Sequence, residues 1–341
     1  MNHVSRRSLL GLGGVGVAGA LALSACGSRT ASPEASSSAA DSDGAGSGTW
    51  PRTVTDAQGE VTIEAQPAKV ASTSPSVTGT LLAIDAPVVS SAAASPSPLT
   101  DDKGFFTQWA SAADERGVDV LYSNLEFDLE AVINADPDLV VVSSSGKDSL
   151  QEDQLASLKE QFTVLVVDYN KQSWQDLATQ LGAALGLEDK ASAAATDFDT
   201  YLNEAKGKIT PPSGGVTLVS YNGPSTEQGI GKKDSAHAVL MTSLGCEIVE
   251  ADLSLDTGSH QQSGFMFVSY ENLSAAITGE SVFLIKARED GVSKFTGDEM
   301  LANLPAVTGN RVYYLGASSF RIDYYSGKLA VDAVVDQLGK G

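Results

Sequence analysis

Two cysteines and three histidines in 341 residues leave little material for metal or thiol chemistry. No His-x-x-His, Cys-x-x-Cys or Gly-x-Ser-x-Gly occurs, which removes the short signatures of zinc sites, dithiol redox centres and serine hydrolases. Gly229-Ile230-Gly231-Lys232-Lys233 lacks the spacing of a phosphate-binding loop. Base is scarce as well: 22 Lys and Arg stand against 43 Asp and Glu, a net charge of −21. Such a field repels nucleic acid and anionic lipid, so any anionic ligand has to be drawn by a local basic pocket. The many carboxylates have no polarising partner beside them in sequence and read as a solvated surface. Catalytic and metal-ligating residues are therefore expected to be absent. His237 and His260 read as ordinary helix or surface residues, and Cys246 as a buried core thiol without a disulfide partner.

What the chain does have begins at its start. Ser5-Arg6-Arg7-Ser8-Leu9-Leu10 resembles a twin-arginine export signal, an apolar run follows from Leu9 to Ala25, and Leu23-Ser24-Ala25-Cys26 resembles a bacterial lipobox. The run is short and rich in glycine, a poor spanning helix. Residues 1–25 are thus expected to be a cleaved signal peptide, with lipid on Cys26 anchoring the protein at the outer face of the cytoplasmic membrane. Cleavage there removes Arg6 and Arg7 and no acid, leaving 20 basic against 43 acidic side chains and a net charge of −23. Gly11-x-Gly13-x-x-Gly16 matches a dinucleotide-binding spacing, but no strand precedes it and the segment is discarded. Residues 26–49 are Ser, Ala and Gly with scattered acids and cannot bury a core, so they read as a lipidated, flexible tether.

Roughly 290 residues then remain, enough for two lobes. Thr53 to Glu64 alternates around Ala57-Gln58-Gly59 and predicts a hairpin. Strands at 68–72, 86–92, 138–143 and 162–167 alternate with helices at 75–83, 125–134 and 150–161, the pattern of a parallel sheet covered on both faces. Trp174, Leu177, Leu181 and Leu185 mark a helix over 173–185, and a longer one follows over 189–208, ended by Pro211-Pro212. A second series then starts: strands at 216–220, 247–249, 281–285 and 312–315, helices at 236–244, 272–278 and 324–338. The expected organisation is an N-terminal α/β lobe over 50–188, a connecting helix over 189–210 and a C-terminal α/β lobe over 211–341.

An ordered set of segments resembles one family across both lobes. It comprises Trp50-Pro51-Arg52 with Val54-Thr55-Asp56, Ser72-Thr73-Ser74, Thr78-Gly79-Thr80-Leu81-Leu82-Ala83-Ile84-Asp85-Ala86-Pro87, Gln108-Trp109 and Pro137-Asp138-Leu139. It continues with Ser173-Trp174-Gln175, Gly279-Glu280-Ser281 and Phe320-Arg321-Ile322-Asp323-Tyr324-Tyr325-Ser326. In these residues the chain is similar to the substrate-binding lipoproteins of siderophore ABC importers, the ferric-enterobactin-binding family above all. The resemblance implies two Rossmann-like lobes joined by a single long rigid helix, the helical-backbone class of substrate-binding proteins. It also implies capture of a ferric siderophore, catecholate in type, with iron held by the chelator and no cofactor of the protein's own, and delivery by a monomer to ABC permease subunits. The alternatives are another bulky chelate (a hydroxamate siderophore, haem or cobalamin) and an exported α/β hydrolase.

A ferric tris-catecholate carries negative charge and exposes aromatic rings, so it calls for cations that stay charged and for flat surfaces. Arg supplies both. Arg321, in the most specific segment, is the leading candidate. Loops at the carboxyl ends of parallel strands add Thr73, Lys147, Tyr221 and Arg288, and Phe105 and Trp109 add aromatic surface in the first lobe. Near Gly229-Ile230-Gly231-Lys232, where the resemblance to the ferric-enterobactin-binding family implies a tryptophan, this chain has none, and lysines stand in place of stacking. By the same resemblance, Glu130 and Glu271 are the permease-docking acids, one per lobe; both also stand at predicted helix starts, where a carboxylate is favoured anyway.

Overall fold

The computed structural model describes residues 48–259 and 263–340. They open on a hairpin of β1 (Arg52–Thr55) and β2 (Glu60–Ile63), paired from Arg52↔Ile63 to Thr55↔Glu60. Asp56 sets its turn: one carboxylate oxygen accepts from the amides of Gln58 and Gly59 at 2.7 and 2.9 Å, and the other accepts from the amide of Val166 at 2.9 Å. The second bond ties the hairpin to the first sheet.

That sheet is built from β3 (Val70–Ser72), α1 (Pro75–Ala83), β4 (Val88–Ser91), α2 (Ala110–Glu115), β5 (Asp119–Val120), α3 (Leu129–Ala135), β6 (Leu139–Ser143), α4 (Glu152–Lys159) and β7 (Val164–Val167). Its order is β5-β4-β3-β6-β7 and every pair is parallel. The strands β3, β6 and β7 are buried along their whole length, which is why β6 and β7 read as near-continuous apolar runs. Helix α3 starts later than its apolar pattern suggested. Asn124 and Leu125 take φ of 58° and 59°, outside the helical region, and Asp128 caps the helix by accepting from the amides of Glu130 and Ala131.

Two helices follow, α5 (Trp174–Leu185) and α6 (Glu188–Lys208). Ser173 caps α5 through the amide of Asp176 at 3.0 Å, and Gly186 closes it at φ 70°, a left-handed conformation suited to glycine. On α6 the buried residues Ala191, Ala194, Phe198, Leu202 and Ala205 recur every three or four positions, one face of a helix about 30 Å long.

The second sheet comprises β8 (Val216–Ser220), β9 (Gln228–Gly231), α7 (Ala236–Ser243), β10 (Phe265–Val268), α8 (Leu273–Ala276), β11 (Ser281–Leu284), α9 (Glu289–Thr296), α10 (Pro305–Thr308), β12 (Val312–Tyr314) and the terminal α11 (Tyr324–Leu338). Its order is β10-β9-β8-β11-β12. Only β8, β11 and β12 are parallel; β9 and β10 add an antiparallel edge that the sequence pattern did not show. The reason lies in β9, Gln-Gly-Ile-Gly, a strand made by close packing and not by propensity. A Cβ on Gly231 would stand 2.9 Å from Cβ of Leu218. The strand expected at 247–249 is a single bridge, Val216↔Ile248.

The largest apolar cluster runs through helices belonging to both halves, with Leu81, Leu181, Phe198, Met241 and Val331 among its members. Helix α11 packs along α6 because Gly327 lets it come close: a Cβ there would meet Cζ of Phe198 at 2.7 Å. Phe198 in turn meets Trp174 at 5.1 Å between ring centroids, and burial of each such ring stabilises the fold by about 2–3 kcal/mol. At the rim of this seam Tyr324 donates to Asp197 at 2.7 Å, Lys328 pairs with the same carboxylate, and Tyr201 donates to Asp332. Among the described residues no helix is long and apolar enough to cross a membrane.

Candidate ligand-binding site

Two clefts open beside the loops that leave the strands. The first, of about 440 Å³, is walled by Tyr169 to Leu177 after β7, by the start of α7, by Phe198 and Leu202 of α6, and by Phe320 to Asp323 ahead of α11. The second, of about 480 Å³, is lined by Ser97 to Leu99 after β4, Tyr221 after β8, Leu284 to Arg288 at the end of β11, and Lys294 of α9. One short 3-10 turn, Ala317–Phe320, touches both: Ala317 faces the second cleft and Phe320 the first. Phe320 also meets Phe106 edge-on at 5.1 Å.

Arg321 follows that turn and lines the first cleft. Its guanidinium carbon lies 3.7 Å from the ring centroid of Tyr169, and one terminal nitrogen approaches the side-chain oxygen of Asn170 at 3.5 Å. Its buried Nε has no hydrogen-bond partner among the described residues. Asp323, two residues on, feels the charge of Arg321 but spends its hydrogen bonds on the start of α11. It caps α11 by accepting from the amide of Ser326 at 2.7 Å, and its burial pushes its carboxyl above the usual range.

The turn beneath Arg321 is held from two sides. His237 of α7, 4% exposed, is bonded through Nε2 to the carbonyl of Ser319 at 2.6 Å. A carbonyl only accepts, so Nε2 carries the proton. Burial holds this imidazole down at about 4, so it is neutral at pH 7. The hydroxyl of Ser319 accepts from the amide of Lys286 at 2.9 Å and donates to the carbonyl of Gly316 at 2.7 Å.

Under Tyr169 lies a second polar group that sequence reading passed over. The phenol donates to Asp148 at 2.7 Å, and the other oxygen of Asp148 accepts from the hydroxyl of Ser74 at 2.5 Å and the amide of Ser76 at 3.2 Å. Burial, then the neighbouring carboxylate, raises the phenol of Tyr169 well above its ordinary range. Ser74, Asp148 and Tyr169 stand just past the carboxyl ends of β3, β6 and β7, so the strand-end rule that nominated Thr73 and Lys147 pointed one residue away from two of them.

The structure brings the sequence candidates together only in part. Arg321 lies in the first cleft, and Tyr221 and Arg288 line the second. Tyr221 donates to Asp298 at 2.6 Å and rests on Phe295, while Arg288 is exposed at the start of α9. Thr73 is buried, with its amide donating to Val141 and its carbonyl accepting from Tyr122. Phe105 and Trp109 are interior too, packed on each other at 5.1 Å beneath α2, and they line neither cleft. Lys147 is exposed beside Asp148, outside both clefts. Glu130 is exposed on the first turn of α3, and Glu271 on the 3-10 turn Tyr270–Asn272. Cys26 and His260 lie outside the described residues. Among the described residues no group of three or more His, Cys, Asp or Glu could hold a metal ion.

Both clefts thus lie where loops leave the strands of two α/β sheets. Residues 70–318 match the periplasmic binding protein family. The chain belongs to that family. It is 37% identical over 288 residues to the ferric enterobactin-binding periplasmic protein FepB of Escherichia coli, covering 83% of this chain and 89% of the relative. The crystal structure of holo-ViuP superposes with a TM-score of 0.78 at 38% identity, over 86% of this chain and 97% of that one. The FhuD protein from S. pseudintermedius shares the fold at 18% identity, with a TM-score of 0.63 over 85% and 98% of the two chains.

Proposed function

We propose that this periplasmic binding protein is the extracytoplasmic component of an ABC importer and that its cargo is a ferric siderophore of the catecholate type. The relative at 37% identity is named for ferric enterobactin, which supports the cargo class. The observation that carries the reading is Arg321. It is a permanent cation on a chain of net charge −21, it lines a cleft, and it forms no ion pair among the described residues. Partial burial of an unpaired guanidinium is unfavourable until an anion arrives, and a flat aromatic anion satisfies both its charge and its face.

In this reading the chelator holds the iron and the protein supplies no iron ligand, no cofactor and no catalysis. Tyr221 and Arg288 meet the cargo from the second cleft, Lys147 adds charge nearby, and Thr73, Phe105 and Trp109 shape the support beneath. Residues 50–188 and 211–341 act as two lobes, with α6 as the stiff link that limits closure to small movements. Glu130 and Glu271 dock a monomer onto permease subunits. Lipid on Cys26, with the tether over 26–49, keeps the carrier at the outer face of the cytoplasmic membrane.

The test is a fluorescence titration of the mature chain with a ferric tris-catecholate, a ferric hydroxamate and haem. Trp174 in the wall of the first cleft is the reporter. Saturable quenching by the tris-catecholate is expected. Quenching by haem or the hydroxamate alone would move the cargo to that chelate, and flat curves with all three would overturn the transport reading.

A further inference from the structure

We propose that Tyr169 is a positioning residue for Arg321: its ring, packed in the wall of the cleft, holds the guanidinium face-on. Only the identity of the ligand rests on the function proposed above; the positioning itself rests on geometry. The contact of 3.7 Å from the Arg321 guanidinium carbon to the ring centroid is van der Waals contact. Tyr169 is 7% exposed and Asp148 6%, so neither has freedom to turn toward water. The phenol is bonded at 2.7 Å, and the carboxylate behind it is bonded in turn to Ser74 and Ser76. Space for the phenol exists because residue 146 is glycine. A Cβ there would fall 1.7 Å from the phenol oxygen, and φ of 83° is itself a glycine conformation.

The consequence is a preformed site. A free arginine loses several rotatable bonds when it binds, and here that ordering has already taken place on the ring. One face of the guanidinium is occupied by Tyr169, so a ligand ring stacks on the other, making a three-layer arrangement of phenol, guanidinium and ligand arene. The first layer comes from the end of β7 and the second from the segment ahead of α11. A chelate with planar rings gains from this arrangement and a chelate without them does not. Tyr169 thereby contributes to specificity without needing to touch the cargo.

The experiment uses Tyr169→Leu, Tyr169→Phe and Arg321→Lys in the mature chain, with a ferric tris-catecholate made from free catechol as the probe. Tyr169→Leu should weaken binding about tenfold, and Tyr169→Phe, which keeps the ring, should restore it to within about threefold. Arg321→Lys should cost about tenfold in the native chain and less than about twofold in the Tyr169→Leu background, since the lysine has no plane to be positioned. Equal costs in the two backgrounds would overturn the proposal. A second readout needs no ligand: the Nε–H resonance of Arg321 in the free protein should be shifted by the ring, keep that shift in Tyr169→Phe and lose it in Tyr169→Leu. An unchanged resonance in Tyr169→Leu would refute the positioning even if binding fell. A native chain that ignores the probe would instead sink the cargo assignment, and the resonance would still decide the role of Tyr169.

Discussion

Replacing His237 with glutamine should remove much of the acid sensitivity of this fold. The imidazole is buried against Phe265 at 5.5 Å between centroids and is bonded to the carbonyl of Ser319, and burial lowers it to about 4. In the unfolded chain it titrates near 6.5. Between those values the unfolded state binds a proton that the folded state refuses, so stability falls as pH falls through that window and levels off below about 4. The difference of about 2.5 units corresponds to about 3 kcal/mol at most, a large share of a typical domain's stability. Glutamine places an amide donor where Nε2 stood and carries no titrating group. Asp323, whose carboxyl lies above its usual value, titrates in the same range, whereas Asp197 and Asp298, held below theirs, lose their contribution only as pH falls past about 4. They are common to both chains and cancel in the difference. Urea unfolding of both chains at several values between pH 7 and 4 gives that difference directly. It should favour the variant increasingly by up to about 3 kcal/mol as pH falls. Parallel stability curves would show that the imidazole is protonated in the folded state, and the reasoning from burial would fail.

Gly327→Ala sets two effects against each other. The gain in helix propensity is about 0.5–1 kcal/mol, but the new Cβ would stand 2.7 Å from Phe198, whose ring is pinned against Trp174, and overpacking of that kind costs about 1–3 kcal/mol. Net destabilisation of about 1 kcal/mol in urea unfolding is expected, and a more stable variant would show that α11 does not clamp α6 closely. Gly146→Ala should be costlier, at least about 2 kcal/mol, because strain at φ 83° adds to a clash with the phenol of Tyr169; a neutral result would refute the close fit. Glu130→Lys and Glu271→Lys should each leave affinity for a ferric tris-catecholate unchanged and reduce uptake in cells. Lost affinity would remove the docking role.

The elements legible in the sequence are those whose environment is uniform. Strands β6 and β7 are buried on both faces and read as Leu-Val-Val-Val and Val-Leu-Val-Val; α5 carries one apolar stripe with a serine cap and a closing glycine. Strand β9 is hidden because Gly229 and Gly231 have no strand preference and only contact with β8 explains them, whereas β10, Phe-Met-Phe-Val, carries strand-forming residues and pairs only with β9. In the site, Arg321 stood out through its segment. Tyr169 and Asp148 did not, although the strand-end rule reaches both: an aromatic after β7 looks like core until its hydroxyl is seen to be bonded. Phe105 and Trp109 drew attention as aromatic surface, yet the approach to α2 folds them inward. Sequence spacing gives the strand end from which a side chain departs, and packing decides which way it turns.

Arg321 in the first cleft is expected to receive an anionic aromatic chelate. Calorimetric titration of the native chain and of Arg321→Gln with a ferric tris-catecholate tests it most directly. A single site is expected in the native chain and affinity at least about tenfold weaker in the variant, the loss expected for a desolvated charged contact. Equal affinities in the two chains would contradict it.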